Sequence, residues 1–309
     1  MNQLLKTLLI IVAGIAGVIV FASVALFLFF DPNDYRDDIS AGVKDVTGRD
    51  LTIEGDLSLS IFPWLAIEVG RTELGNAEGF GGQPFMRFEA ASLSVRMLPL
   101  ILSQEMTVGT ASIEGLVVNL QVAADGTTNW DDLSQPEETV GFEIPETDTE
   151  PMKIDFGSIR VSDANVSYTD AQTGNAYTVT NLAFNSDGIG ADEPFDLDAE
   201  FDFTVAPGGL NGHVAIRGTT TMTEGAAQVS IAGLNVAGEL RGVTPQAAEF
   251  NFDLREMAID TVTQSMSPGE MDLSILGVSM SANVEPFSYA DSPRPKAAIQ
   301  VAEFSLKDL

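Results

Sequence analysis

From Leu51 onward, apolar and polar residues alternate with a period of two, a pattern that a helix cannot satisfy and a half-covered β-strand can. The clearest stretch sets Phe195, Leu197, Ala199, Phe201, Phe203 and Val205 against Asp196, Asp198, Glu200, Asp202 and Thr204. One side of such a strand is dry and the other wet, as in an antiparallel sheet with a single covered face. The same alternation runs through Leu51, Ile53, Leu57, Leu59 and Ile61, and through Leu116, Val118, Leu120 and Val122. It returns at Val166 and Tyr168, Tyr177 and Val179, Leu182 and Phe184, and in further segments up to Ile299 to Leu306. The spacing predicts about a dozen or more strands in a meander, and argues against βαβ units and a parallel sheet. Beyond the first helix, a short helical connector is expected only around Leu98 to Ser103, limited by Pro99.

Ahead of this region, Thr7 to Phe30 carries no charge over 24 residues. At about 1.5 Å per helical residue it reaches roughly 36 Å, enough for the roughly 30 Å hydrocarbon core of a bilayer with some tilt. Residues 1–30 are therefore expected to be an uncleaved transmembrane anchor. Ser23-Val24-Ala25 resembles a signal-peptide cleavage site, but the apolar run is far longer than a usual h-region and continues past it to Phe30. Lys6 before the run and the length of the chain after it predict a cytoplasmic N-terminus and an exported bulk. Asp31-Pro32-Asn33-Asp34 then supplies cap-type residues, and Ile39, Val43 and Val46 fall at helical spacing, predicting a short amphipathic helix that ends at Gly48.

Residues 134–152 break the alternation with Pro136, Pro145 and Pro151 and six acidic residues, and are expected to be a mobile linker. They divide the exported part into a β region at 31–133 and a second at 153–309. A faint echo crosses this division: Ser112-Ile113 followed by Val118 and Leu120, against Ser158-Ile159 followed by Val166 and Tyr168.

Composition removes several kinds of chemistry. With 45 Asp and Glu against 15 Lys and Arg, the formal net charge of -30 repels nucleic acid. There is no Cys, which excludes disulfides, thiolate nucleophiles and Cys-type zinc sites. The single histidine, His213, lies in a Gly-Leu-Asn-Gly setting that suits a turn better than a catalytic base. Gly79-Phe80-Gly81-Gly82 matches no phosphate loop, and Asp31 to Asp38 places Arg36 and Gly42 where an EF-hand needs Gly and Glu. Asp196, Asp198, Glu200 and Asp202 repeat as a solvated strand face does, without the look of a paired catalytic site. No enzyme activity, catalytic residue, metal or cofactor is expected.

Read as one string, Ile53-Glu54-Gly55-Asp56-Leu57 and Phe62-Pro63-Trp64-Leu65 lead to Val69-Gly70 and Leu74-Gly75-Asn76-Ala77-Glu78-Gly79-Phe80. Pro84-Phe85, Leu98-Pro99-Leu100, Ile113-Glu114-Gly115-Leu116 and Asn129-Trp130 follow, then Ile159 to Ala164, Tyr168-Thr169-Asp170, Gly174 and Pro194-Phe195. This order and spacing resemble the AsmA family of bacterial envelope proteins over nearly the whole chain. The resemblance implies a bacterial inner-membrane, single-pass protein with a periplasmic β-rich region, acting in outer-membrane biogenesis and the targeting and assembly of membrane proteins. The wider superfamily it implies is thought to pass phospholipid along bridge-like β-grooves. Members are usually much longer, so the chain is expected to be a fragment or a short member, and a complete bridge between membranes is doubtful from this piece.

The expected fold is thus mainly β: an extended, curved antiparallel sheet forming an open groove, not a closed barrel. Two roles compete. In the first, phospholipid lies on the dry face, for which Leu57, Leu59, Ile61, Leu116, Val118, Leu120, Leu197, Phe201 and Phe203 are candidates, a closed sandwich core being the plain alternative for each. Phe62, Trp64 and Leu65 could touch the membrane interface, or simply pack at a strand end. In the second, the chain is a tethered module that engages envelope proteins through exposed strand edges.

Overall fold

The computed structural model describes residues 30–60, 64–96, 106–133, 154–190, 192–223, 227–290 and 294–303. Residues 1–29 of the expected anchor, the Leu98 to Ser103 connector and all of the acidic linker lie outside these residues. Among the described residues no helix is long and apolar enough to cross a membrane.

Asp31 opens the described chain by accepting the Asn33 N–H at 2.9 Å, capping a 3-10 turn (Pro32–Tyr35) that runs into α1 (Arg36–Thr47). Gly48, at φ 71°, ends the helix, its N–H donating to the Lys44 carbonyl at 2.8 Å. The left-handed turn is what a Gly C-cap supplies. The predicted apolar stripe is only partly used: Val43 is half-buried, while Ile39 and Val46 are 43% and 65% exposed.

The nineteen strands of the described residues belong to one sheet. The early ones come as end-to-end pairs that act as single broken rungs. These are β1 (Leu51–Ile53) with β2 (Leu57–Ser60), β3 (Trp64–Val69) with β4 (Thr72–Leu74), β5 (Met86–Phe88) with β6 (Ala90–Arg96), and β7 (Met106–Glu114) with β8 (Val117–Val122). Six long rungs follow: β9 (Ile154–Asp170), β10 (Ala176–Ile189), β11 (Pro194–Ala206), β12 (Leu210–Met222), β13 (Gln228–Arg241) and β14 (Ala248–Asp260). The series closes with β15 (Ser265–Pro268) and β16 (Glu270–Ile275), then β17 (Val278–Val284) with β18 (Phe287–Ser288), then β19 (Ala297–Val301). Neighbouring rungs pair in chain order, and among the described residues the first does not pair with the last, so the sheet is open.

One junction departs from the expected antiparallel meander. β7 and β8 both pair with β9 in parallel, Ile113 against Val161 and Val118 against Val166. β9 begins beside the start of β7, Met106 against Ile154, and runs in the same direction. The faint echo in the sequence is this pair of neighbours, with a true offset of 48 positions.

A crease of left-handed residues crosses the sheet where the alternation changes phase: Gly115 at φ 64°, Asp163 at 52°, Asn181 at 54° and Gly233 at 60°. Each adds a residue on one strand, which turns the next apolar side chain back to the same face. Nearer the first edge, Gly55 and Gly70 cross so closely that a Cβ on Gly55 would sit 2.2 Å from the Arg71 nitrogen. Only glycine permits that approach.

The first edge is covered. The Asn33 side chain accepts the Leu57 N–H at 2.8 Å and donates to the Leu57 carbonyl at 3.1 Å, as a neighbouring strand would. Arg36 donates to the Asn33 side-chain amide oxygen at 2.5 Å and pairs with Asp56 at 3.0 Å. Among the described residues the last edge has no such device: all five residues of β19 are exposed, Ile299 by 66%.

Candidate functional site: an uncovered apolar face

Following the pairing from rung to rung gives one line of directly opposed residues across the whole sheet. It runs Leu57, Val69, Ala91, Ile113, Val161, Phe184, Ala199, Ile216, Val236, Phe252, Leu273, Met280 and Val301. Every member is apolar. One residue away, pointing to the other face, the parallel line reads Ser58, Glu68, Ser92, Ser112, Arg160, Asn185, Asp198, Arg217, Asn235, Asp253, Asp272, Ser281 and Gln300. Every member is polar, and several bond sideways: Ser92 with Ser112 at 2.7 Å, Asn235 to Asp253 at 2.8 Å, Ser281 to Asp272 at 2.6 Å. At about 4.8 Å per rung, the apolar line extends roughly 58 Å.

No second sheet lies over this face among the described residues. Of the apolar line only Leu57 is fully buried, Val301 is 52% exposed, and the rest are half-buried. Ile67 and Leu93, opposed on the same face, are 49% and 44% exposed. Among the described residues these side chains are not enclosed as those of a sandwich core are.

Leu57 lies in the apolar line, and Leu59 two residues on, opposite Ile67. Val118 and Leu120 are on β8 against Val166 and Tyr168, and Leu197, Phe201 and Phe203 are on β11, all on this face. Leu116 falls in the break between β7 and β8, where its carbonyl accepts the Asn165 N–H. Ile61 and Phe62 lie outside the described residues. Trp64 opens β3 opposite Arg96, and half-buried Leu65 opposes Val95.

A polar cluster that the sequence did not single out pins the segment after β8 to the end of α1. Arg49, 3% exposed, donates from Nε to Asp132 at 2.8 Å, from Nη2 to Asp132 as well, and from Nη2 to the Asn129 carbonyl at 2.7 Å. Its guanidinium lies 4.5 Å over the Phe85 ring. The bond from Arg49 holds the Asp132 carboxyl below the usual carboxylate range. Asn129 is fully buried; it accepts the Gln121 N–H and donates to the Asn119 carbonyl and to Asn76. Beside it the Trp130 and Tyr168 rings meet at a tilt of 42° with centroids 6.2 Å apart, and Tyr168 meets Tyr177 at 45° and 5.8 Å.

Asn76, Phe85, Asn129 and Trp130, scattered in the sequence, therefore serve one local structure. A sequence model of the AsmA family matches residues 1–255. The chain belongs to the AsmA family. It is 30% identical over 165 residues to Protein AsmA of Escherichia coli (strain K12), covering 53% of this chain and 25% of that protein. The chain thus spans about a quarter of the curated relative's length. No solved structure matches it. The family match ends within β14, yet β15 and β16 continue the meander on that strand.

His213 sits on the polar face, in β12 and not in a turn, with Nδ1 3.0 Å from Asp202. The Asp202 carboxyl, held below its ordinary range first by Asn181 and then by His213, is a paired surface group. No group of three or more potential metal ligands occurs among the described residues.

Proposed function

We propose that this AsmA-family chain is a non-catalytic bacterial envelope protein, anchored in the inner membrane by Thr7 to Phe30. In this reading its exported apolar face handles phospholipid and so affects outer-membrane assembly. The observation behind the reading is the unbroken apolar line from Leu57 to Val301 on a face that no second layer covers among the described residues. Apolar surface of that length is costly to leave in water, and acyl chains suit it because they need no hydrogen bonds.

The test is native mass spectrometry of the full chain, extracted in mild detergent and then exchanged to remove unbound lipid. Phospholipid should stay bound to the parent and be lost from Phe252→Asp, with the circular dichroism of both unchanged. Asp253→Ala, on the opposite face, should keep its lipid. A lipid-free parent would end this reading.

A second reading, a tethered module that engages envelope proteins by strand addition, draws on the contrast between the two edges. Asn33 covers the first, whereas β19 is uncharged, exposed and open. The Glu285 N–H to Lys296 and Ala302 N–H to Ser279 bonds fix the alternation, so the outward N–H and C=O groups belong to Ala297, Ile299 and Val301. Binding to an envelope protein that Ile299→Pro abolishes, with lipid content unaffected, would favour this role over the first.

A further inference from the structure

The apolar face is not uniform from rim to rim. Its central line is apolar throughout, but the outermost line beside the β9–β10 turn runs Leu120, Tyr168, Tyr177, Val205 and Leu210. Two of the chain's four tyrosines and one of its two tryptophans meet there in a run of tilted rings. Tyr177 is 46% exposed, so the stack reaches solvent at one end. One line further in, Val118, Val166, Val179 and Phe203 carry no polar atom. Rings with an apolar body and a polar tip suit the place where hydrocarbon gives way to water.

A cation adjoins the stack. Arg49 bonds the Asn129 carbonyl, at the peptide that leads into Trp130, and its Nη1 is buried without a hydrogen-bond partner. That buried cation lies out of a lipid's reach, but the tyrosine hydroxyls at the rim have no counterpart on the all-apolar central line, so the two ends of a lipid molecule would meet different chemistry.

We propose that Trp130, Tyr168 and Tyr177 form an aromatic station that takes the glycerol and phosphate junction of a phospholipid, with its acyl chains directed inward over Val166, Val179 and Phe203. Lipid on this stretch then has one orientation, head to the rim. The inference rests on the phospholipid reading above and adds the subsite and the polarity.

Trp130 reports on it directly. In the full chain carrying Trp64→Phe, Trp130 is the one remaining indole. The protein is loaded with phosphatidylcholine bearing a nitroxide on the headgroup, near the ester, or near the acyl methyl end, and bound lipid is counted in parallel by native mass spectrometry. At equal occupancy, the headgroup and ester labels should quench Trp130 several-fold more than the methyl-end label. Tyr177→Ala in the same background should keep lipid but lose most of that difference. Equal quenching by all three labels, stronger quenching by the methyl-end label, or an unchanged difference in Tyr177→Ala overturns the station while leaving lipid binding intact. Absence of bound lipid overturns it together with the groove reading.

Discussion

Gly115 and Asp163 occupy the same place on two parallel rungs and share a left-handed backbone, at φ 64° and 52°. They are separated by the 48-residue offset that runs through the whole β7, β8 and β9 pairing, and the Gly115 N–H donates to the Ser162 carbonyl at 2.9 Å. The crease therefore passes from one rung to the next in register.

That relationship predicts opposite responses at the two sites. A Cβ on Gly115 would lie 2.6 Å from Cγ of Glu89 and would also force a side chain into the left-handed region. Gly115→Val should cost about 2 kcal/mol or more, combining backbone strain with crowding. Asp163→Gly removes the strain at its own site and should change stability by no more than about 1 kcal/mol in either direction. Urea unfolding followed by circular dichroism measures both; equal losses would show that the shared backbone conformation is not what the crease requires.

The Arg49 and Asp132 pair should make the packing of the β8–β9 crossover against α1 acid-sensitive. Asp132 has a folded-state pKa below its unfolded value of about 3.9, so its ionised form stabilises the fold above that value. The contribution is lost as pH falls through the depressed folded-state value. Asp132→Asn should thus differ from the parent by a constant amount between about pH 7 and pH 5, with the gap closing below about pH 4. Arg49→Met should cost about 2–4 kcal/mol, less than a fully enclosed pair because Asp132 is 38% exposed. Unfolding midpoints across pH check the sign: a gap that widens in acid would exclude the assignment.

Much of this architecture is legible in the sequence because alternation marks one face of a strand directly. Even the crease leaves a trace, since apolar positions shift phase between Ile113 and Leu116, Val161 and Ala164, and Ile231 and Leu234. What alternation cannot give is direction or register. A strand presents the same pattern to parallel and antiparallel neighbours, so the β7 to β9 junction was hidden apart from a weak echo. For the same reason Leu57 could be named as a face residue while Val69 and Phe252, its continuation on other rungs, could not be lined up with it. The Arg49 cluster was invisible because its partners stand 80 and 83 positions away. The helix gave the converse error: Ile39 and Val46 have the right spacing, but no described element covers them.

The polar face carries a different burden. Pairing sets Asp187 against Asp196, Glu239 against Glu249, and Asp253 against Asp272. Like charges directly opposite destabilise a sheet, and a net charge of -30 adds to the repulsion. Raising sodium chloride from about 10 mM to about 0.5 M should therefore raise the unfolding midpoint, since that shortens the screening length to a few ångströms. Glu249→Lys, facing Glu239, should gain about 0.5–1 kcal/mol at low salt and less at high salt. A gain that is independent of salt would point to something other than charge.

Asn33 offers the sharpest test of how the sheet ends. Its amide supplies both a donor and an acceptor to Leu57, which is the pair of bonds a further strand would make, while Asp31 and Arg36 hold that amide in place. Asn33→Ala removes both bonds, and at about 1 kcal/mol for each hydrogen bond should cost about 1–2 kcal/mol. Asn33→Asp keeps an acceptor for the Leu57 N–H but offers no donor to its carbonyl, so its cost should be smaller. Hydrogen exchange separates the cases by residue. The Leu57 amide should exchange much faster in Asn33→Ala and remain protected in Asn33→Asp, whereas equal protection in all three proteins would mean that Asn33 does not cap the edge. Opening the edge also exposes β2 as a template, so Asn33→Ala should self-associate more readily than the parent, and a charge at Ser60 on the same strand should reverse that without restoring the Leu57 protection.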